Sequence, residues 1–125
     1  MKVLIADDDK DLCQLLNAVL RKLGWDVVVA FDATQALMMA KNSKPDVIIL
    51  DINMPGGTGI GALEKLRLNI NTSMIPILVL SGSVEKNIKD KIVKLGAIAY
   101  LAKPVDIDEL QKRLERIING DLDQA

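Results

Sequence analysis

The sequence predicts an α/β fold with one parallel five-stranded sheet covered by helices on both faces, and two observations support this prediction. Five short apolar runs alternate with five segments whose apolar residues recur at helical spacing, a pattern that favours right-handed βα crossovers. Half of the 125 residues are hydrophobic but only 2% are aromatic, which suits aliphatic side chains packed on a buried sheet. We expect one domain over residues 1–120 and a frayed tail at 121–125.

The first two strand–helix units are bounded by capping residues. An apolar strand at residues 3–6 leads into a helix that Asp9 caps and Gly24 ends. A β-branched strand at residues 27–30 follows, and Asp32 begins a capping box for the second helix. Both units therefore carry signals for where their helices begin or end.

The third unit brings an acidic residue to the end of an entirely apolar strand. The strand at residues 47–50 runs directly into Asp51. Taken alone, Asp51 could equally begin a turn, because Asp near Pro and Gly is ordinary turn chemistry. The third helix is predicted from Gly59 to about Ile70, with three apolar residues facing inward. These are Leu63, Leu66 and Ile70.

The fourth unit joins an apolar strand to a charged helix. Pro76 introduces the strand at residues 77–80, which ends in Ser81. A weaker helix follows at about 84–95 and is stopped by Gly96. Its buried side is expected to contain four apolar residues, which are Val84, Ile88, Ile92 and Leu95. Its other side is mostly Lys, Asp and Glu, including Lys89, so we expect that side to be solvated.

The fifth unit completes the predicted sheet. A strand at residues 99–102 ends in Lys103 and Pro104, and Asp106 opens a capping box for the last helix. The buried face of this helix is expected to contain four apolar residues. They are Leu110, Leu114, Ile117 and Ile118.

Residue types that are absent or rare exclude several kinds of chemistry. The single cysteine, Cys13, excludes an internal disulfide and fits a reducing compartment. The absence of histidine excludes histidine-based acid–base catalysis and histidine-ligated metals. Any metal must therefore be bound by oxygen atoms, which points to Mg²⁺, Ca²⁺ or Mn²⁺.

Polar residues follow four of the five predicted strands at the carboxyl edge of the sheet, where folds of this kind bind ligands. They are Asp7 and Asp8, Asp51, Ser81, and Lys103. Three carboxylates brought together repel one another unless a hard cation or a proton binds. Mg²⁺ fits best, because it leaves coordination positions open to phosphate oxygens. One carboxylate left free to attack would become an aspartyl phosphate.

These residues resemble the receiver domains of two-component response regulators over essentially the whole chain. The matching positions are Asp7-Asp8, Asp51 with Pro55 and Gly59, Ser81, Tyr100, and Lys103-Pro104. The resemblance implies a flavodoxin-like (βα)5 fold with strand order 2-1-3-4-5. The sequence departs from the common family pattern at three positions. Ser81 replaces a frequent threonine, Gly57 a bulkier apolar residue, and Gly82 an alanine.

The resemblance also implies how the acidic residues act. Asp51 would accept a phosphoryl group from a kinase histidine. Asp8 and Asp51 would bind Mg²⁺ directly, together with the backbone carbonyl of Asn53, and Asp7 would act through a coordinated water; Mn²⁺ is an alternative ion.

The same resemblance assigns roles at the ends of the last two strands. Lys103 would pair with the phosphorylated carboxylate, next to a cis peptide bond to Pro104. Ser81 and Tyr100 would form a switch pair that alters the surface of the fourth helix, fifth strand and fifth helix.

The resemblance implies a signalling switch that catalyses only its own phosphorylation and slow self-dephosphorylation. Its partners would be a sensor histidine kinase or histidine phosphotransfer protein, and an effector protein or an output domain beyond Ala125. A phosphorylation-dependent homodimer is a further expectation. The net charge of −1 predicts no direct binding to nucleic acid or membrane, and we expect a cytoplasmic protein.

Two other classes of protein place acidic residues or a phosphate-binding loop at the carboxyl edge of such a sheet. A haloacid-dehalogenase-type phosphatase would use Asp7 as nucleophile and Asp9 as acid, and would need a later acidic pair. Here only Asp106 and Asp108 are available, and they are better explained as helix-capping residues. A flavodoxin would need a hydroxyl- and glycine-rich phosphate loop where this chain has three aspartates. A receiver-like domain that is never phosphorylated is disfavoured, because the required residues are all present.

Overall fold

The computed structural model describes residues 1–53, 59–82 and 86–120. Within these residues, five strands alternate with five helices. Their bounds are β1 (Lys2–Ala6), α1 (Lys10–Lys22), β2 (Asp26–Ala30), α2 (Ala33–Ser43), β3 (Val47–Asp51), α3 (Gly59–Leu68), β4 (Ile77–Ser81), α4 (Lys86–Lys94), β5 (Ala99–Ala102) and α5 (Ile107–Ile118). All neighbouring strands are parallel, in the order β2-β1-β3-β4-β5. The predicted fold class and strand order are therefore confirmed.

Successive strand residues pack into two separate cores because side chains alternate across a sheet. Leu4 on β1 and Ile48 on β3 join the core under α2, α3 and α4. Val3 and Val47 join the core under α1 and α5. Every residue of β3 and β4 is buried, as expected for central strands of a sheet covered on both faces.

The predicted helix caps are present. Side chains of Asp9, Asp32 and Asp106 accept hydrogen bonds from backbone N–H groups three residues later. Gly24 ends α1 with a φ of +93°, in the left-handed region that favours glycine. The Trp25 N–H then donates to the Leu20 carbonyl at 3.0 Å, which turns the chain back over the helix end.

The prediction that α3 continues to an inward-facing Ile70 is wrong. Helix α3 ends at Leu68, and Ile70 is 89% exposed. The apolar residues keep their helical spacing as far as Ile70. Side chains after Leu68, however, also form hydrogen bonds with the backbone. The Asn69 side chain accepts from the Asn71 N–H, and the Thr72 hydroxyl donates to the Leu66 carbonyl. Such local side-chain bonds compete with helix formation.

The predicted buried face of α5 is only partly confirmed, and part of the prediction for α4 concerns residues outside the described ranges. In α5, Leu110 and Leu114 are buried as predicted, but Ile118 is exposed because the helix ends there. Helix α4 is described from Lys86, so the predicted contribution of Val84 lies outside the described residues, as do Pro55, Gly57 and the tail at 121–125. Among the helices of the described residues, none is long and apolar enough to cross a membrane.

Candidate functional site

The strand register brings the predicted polar residues to one edge of the sheet. Ala6 of β1 pairs with Leu50 of β3, so Asp7 and Asp51, the next residues along each strand, come side by side. Ser81 ends β4 opposite Ala102 of β5. The Lys103 N–H donates to the Ser81 carbonyl at 2.8 Å, which fixes the start of the loop that carries the lysine.

The three predicted acidic residues form one cluster with unequal exposure. Asp7 is 0% exposed and Asp51 is 2% exposed, whereas Asp8 is open to solvent. One carboxylate oxygen from each residue lies within 4.8 Å of the others. Buried carboxylates this close favour a proton, a cation or a charged partner. The cluster therefore has two fixed inner acids and one accessible outer acid.

Lys103 supplies the positive charge inside this cluster. Its Nζ lies 2.8 Å from Asp7 Oδ2 and 3.4 Å from Asp51 Oδ2. Burial alone would lower the pKa of Lys103, but close contact and charge from Asp7, and then from Asp51, outweigh burial and raise the pKa. The lysine is thus held in its charged form and lies closer to Asp7 than to Asp51.

Backbone N–H groups orient the two buried carboxylates. The Asp9 N–H donates to Asp7 Oδ1 at 2.9 Å, and the Asn53 N–H donates to Asp51 Oδ1 at 3.1 Å. Each acid therefore keeps its other oxygen, Oδ2, directed to Lys103.

Asp51 is poorly stabilised as an anion. Burial raises its pKa, and the charge of Asp7 also raises it; together they outweigh the opposing effects of the Asn53 N–H and Lys103. A cation at this edge would therefore favour ionised Asp51.

The cluster also fits a hard metal ion through its donor atoms. Within the described residues, Asp7 Oδ2 receives no hydrogen bond of favourable geometry. Its contact with Lys103 is best treated as an ion pair, because charge attraction does not require a strict angle. A buried oxygen left in this state is a suitable acceptor for a metal-bound water. All three side chains offer oxygen, the ligand type that Mg²⁺ prefers.

Ser81 and Tyr100 lie on the same face of the sheet. Tyr100 pairs with Val79, and Ser81 follows Val79 by two residues, so their side chains point to the same side. Ser81 is buried, and Tyr100 is half-buried against the core under α2, α3 and α4. The predicted switch pair is therefore placed on the face covered by α4.

Two contacts of this site were not predicted from the sequence. Lys89 Nζ lies 5.9 Å from the centre of the Tyr100 ring, whereas the sequence predicts only that Lys89 lies on a solvated helix face. The Cys13 thiol donates to the Asp7 carbonyl at 3.3 Å. Burial, followed by the charge of Asp7, raises the pKa of Cys13 to about 11, so the group stays a thiol. No sequence signal identifies either contact, because each depends on how separate elements pack.

The helix-capping hydrogen bonds of Asp9 and Asp106 disfavour the phosphatase alternative. Asp9 Oδ1 accepts from the Leu12 N–H at 3.1 Å, and Asp106 Oδ1 accepts from the Glu109 N–H. Both carboxylates therefore act as helix caps in this fold.

Comparisons with known proteins show which family this chain is similar to. The family model described as a response regulator receiver domain matches residues 3–115. The chain is 36% identical over 117 residues to the alkaline phosphatase synthesis transcriptional regulatory protein PhoP of Bacillus subtilis, covering 94% of this chain and 48% of that protein. It is 34% identical over 119 residues to protein PilH of Pseudomonas aeruginosa, covering 95% and 98%.

Solved structures of proteins from the same family have a similar fold. Chemotaxis protein CheY4 of Vibrio cholerae superposes with a TM-score of 0.87 at 34% identity, covering 93% of this chain and 97% of that one. The receiver domain of sensor histidine kinase PA1611 of Pseudomonas aeruginosa, with magnesium coordinated in its active site cleft, gives 0.86 at 30% identity, covering 94% and 97%. The chain spans about half the length of the transcriptional regulators that it matches.

Proposed function

Because this chain belongs to the response regulator receiver domain family, we propose that Asp51 is the residue that accepts the phosphoryl group in its two-component signalling role. The observation that carries the assignment is the burial of Asp51 at the end of β3, beside Lys103 and two further acids. Asp7 is less suited to attack, because its carboxylate lies closer to Lys103, at 2.8 Å against 3.4 Å for Asp51.

The chain's own residues prepare a carboxylate for attack. The Asn53 N–H orients Asp51 through Oδ1. A carboxylate oxygen of Asp51 forms a bond to phosphorus while the bond from phosphorus to the donor histidine nitrogen breaks, and that nitrogen leaves with the electron pair. The ammonium of Lys103, 3.4 Å from Asp51 Oδ2, then offsets charge on the transferred group.

Mg²⁺ is the proposed cofactor, with Mn²⁺ as an alternative. Asp8 and Asp51 would bind it directly with the backbone carbonyl of Asn53, and Asp7 would bind it through water. When bound, the ion supplies positive charge to the phosphoryl oxygens. The oxygen-only donor set of Asp7, Asp8 and Asp51 supports this assignment.

The proposed output is a change on the surface formed by α4, β5 and α5. Ser81 would follow the phosphoryl group, and Tyr100, on the same sheet face, would rearrange in response. Lys89 lies over Tyr100, so movement of the ring would also release or reposition a surface cation.

The proposed partners follow from this role. A sensor histidine kinase or histidine phosphotransfer protein would donate the phosphoryl group, and an effector protein or an output domain would bind the altered surface, with a phosphorylation-dependent homodimer as another form of output. PhoP and PrrA are named as transcriptional regulatory proteins. We propose that this domain itself acts in the cytoplasm through protein contacts, without binding nucleic acid or membrane.

The experiment is incubation with acetyl phosphate and Mg²⁺, followed by intact mass measurement and peptide mapping. We expect one phosphoryl group on Asp51 and none in Asp51→Asn. Asp108→Asn, an exposed aspartate on α5, is the matched control and should be labelled normally. Mapping to Asp7 would favour the phosphatase alternative and refute the proposal.

A further inference from the structure

Three backbone segments meet around the side chain of Arg67 at the amino edge of the sheet, opposite the acid cluster. Arg67 is the penultimate residue of α3. Its guanidinium donates to the carbonyls of Ser73 and Ile75, just before β4, at 2.9 and 2.7 Å. It also donates to the carbonyl of Gly96, just after α4, at 2.8 Å. One side chain therefore joins the ends of α3 and α4 to the start of β4.

Gly96 leaves room for this guanidinium. A Cβ atom at position 96 would lie 2.8 Å from Arg67 Nε and 3.2 Å from Arg67 Cδ, so a larger residue would displace the arginine. Gly24 ends α1 with nearly the same φ, +93° against +94°, yet no heavy atom of the described residues lies within 4 Å of a Cβ built there. Close approach to Arg67 is therefore a second role of Gly96, besides ending its helix.

The contact requires the shape of an arginine side chain. Burial lowers the pKa of Arg67, because a charge partly removed from water is less stable, and the three carbonyls replace that water. A guanidinium presents five N–H donors in one rigid plane, whereas a lysine ammonium is a single charge on a flexible stem. Lysine would therefore keep the charge but would not hold all three carbonyls in this arrangement.

Burial along α4 increases toward the end that Arg67 contacts. Ile92 is fully buried, whereas Ile88, one turn nearer the acid cluster, is half-buried. Beyond the helix, the Ile98 N–H donates to the Ile77 carbonyl at 2.9 Å, which joins the chain to the start of β4. The end of α4 at the amino edge is thus fixed both by packing and by bonds to neighbouring segments.

We propose that Arg67 is a positioning residue that fixes the Gly96 end of α4, so that the signal moves the opposite end of the helix about this point. The inference rests on the proposed function for the signal and on the Arg67 contacts for the fixed end. Lys89 precedes Gly96 by seven residues, or about 10 Å along a helix. A tilt about Gly96 therefore displaces Lys89, which lies over Tyr100, much more than it displaces Lys94.

Hydrogen exchange in EDTA, without a phosphoryl donor, tests the fixed end. Arg67→Lys should speed exchange of the Gly96 and Ala97 amides about tenfold or more, because the end of α4 loses its bond to α3. Arg21→Lys is the matched control, since Arg21 is also the penultimate residue of its helix and donates to the Val27 carbonyl. It should leave those two amides unchanged. Unchanged exchange in Arg67→Lys would overturn the proposal.

Backbone NMR shifts with and without beryllofluoride and Mg²⁺ test the movement. In the wild type, the perturbation should be large at Lys89 and fall toward zero at Gly96. In Arg67→Lys it should continue through Gly96 to Ser73, because the helix end is no longer fixed. A residue that only stabilised the fold would leave this gradient unchanged. Equal perturbation along α4 in the wild type, or the same gradient in both proteins, would overturn the proposal.

The two proposals fail in different ways. Normal labelling of Asp51 without the gradient along α4 would refute the role of Arg67 alone. A wild type that shows no perturbation anywhere would refute the movement of α4 together with the proposed switch. The exchange measurement would still decide whether Arg67 fixes the Gly96 end, because it uses no phosphoryl donor.

A pair of glycine variants tests the close approach to Arg67. Gly96→Ala and Gly24→Ala place alanine at almost the same positive φ, but only the Cβ at position 96 would meet Arg67. Gly96→Ala should therefore lower the urea midpoint more than Gly24→Ala does. In an Arg67→Ala background the two variants should lower it equally. Equal effects with Arg67 present would overturn the proposal, because the guanidinium would then not be held against Gly96.

Discussion

The two edges of the sheet depart from the usual burial of side chains in opposite directions. At the carboxyl edge, the charged groups Asp7 and Asp51 are buried; at the amino edge, the apolar groups Ile70 and Met74 are almost fully exposed. Hydrogen bonds that involve the backbone hold both departures. The Asn53 N–H donates to the Asp51 carboxylate at one edge, and the Thr72 hydroxyl and the Arg67 guanidinium donate to backbone carbonyls at the other.

A hydrogen-bonded backbone thus maintains an unfavourable side-chain environment at both edges, with a different cost at each. At the carboxyl edge, the environment costs stability because charge is held away from water. At the amino edge, it costs solubility, because apolar surface stays in water. Variants at the two edges should therefore affect different measurements.

The largest effect is expected from Lys103→Ala. Removing the ammonium leaves Asp7 buried without its charged partner, so the free energy of unfolding should fall by about 3 kcal/mol. This is the low end of the range for breaking a buried pair, because a quarter of the Lys103 side chain is exposed. Urea denaturation at pH 7 in EDTA measures it. Lys112→Ala, at an exposed position of α5, should stay within about 0.5 kcal/mol of the wild type. Equal effects of the two variants would show that the pair adds nothing.

Addition of Mg²⁺ should produce the next largest change. By relieving repulsion among Asp7, Asp8 and Asp51, the ion should raise the free energy of unfolding by about 1.4 kcal/mol at ten times its Kd. Asp8→Ala should remove most of this gain. Asp11→Ala, which removes an exposed acid in the first turn of α1, should keep it. Thermal denaturation across a Mg²⁺ titration measures both, and an unchanged melting temperature in the wild type would contradict the metal site.

A moderate, pH-dependent effect is expected from Asp51→Asn without metal. The pKa of Asp51 is raised above its ordinary 3.8, so the folded state binds this proton more tightly than the unfolded state. Stability from that proton is present below the ordinary value and is lost as the pH rises through the folded pKa. Asp51→Asn should therefore gain stability relative to the wild type across this window, and the difference should then become constant.

Denaturation in EDTA between pH 3.5 and 8 measures that difference. Saturating Mg²⁺ at pH 7 supplies the control, because Asp51→Asn lacks a metal ligand there and should become the less stable protein. If the variant is less stable than the wild type at every pH in EDTA, burial does not destabilise the Asp51 anion.

The smallest effect on stability is expected at the amino edge. Ile70→Ser removes an apolar group that is already in water, so the free energy of unfolding of the dilute monomer should change by no more than about 0.5 kcal/mol. Leu66→Ser, four residues earlier and fully buried, should lose several kcal/mol. Urea denaturation at low micromolar concentration distinguishes them, and a large loss for Ile70→Ser would mean that its side chain packs in the monomer.

The features that sequence predicts well depend on local chemistry. The caps at Asp9 and Asp106 are set by side chains acting on N–H groups three residues away, and Gly24 ends its helix through its own backbone conformation. The strand order requires the resemblance to a known family, because apolar runs alone do not fix which strands are neighbours.

The features that sequence predicts poorly depend on packing between distant segments. The residues that converge at the carboxyl edge are predictable from their positions at strand ends. The closer approach of Lys103 to Asp7 than to Asp51 is not predictable, because it depends on the path of a loop. Helical spacing predicts that Ile70 lies in the core, because the spacing does not reveal that the Thr72 hydroxyl donates to the Leu66 carbonyl at the end of α3.

The order in which strands are made has a consequence for synthesis on the ribosome. Strand β1 lies between β2 and β3, so the first 51 residues contain three adjacent strands and both buried acids. The cation that balances those acids, Lys103, is translated only after the fifth strand. Without a bound metal ion, a nascent chain that ends before Lys103 would have to bury two carboxylates without a charged partner. We therefore expect stable folding of the carboxyl edge to await the last strand, so that this ion pair couples the completion of the site to the synthesis of β5 and Lys103.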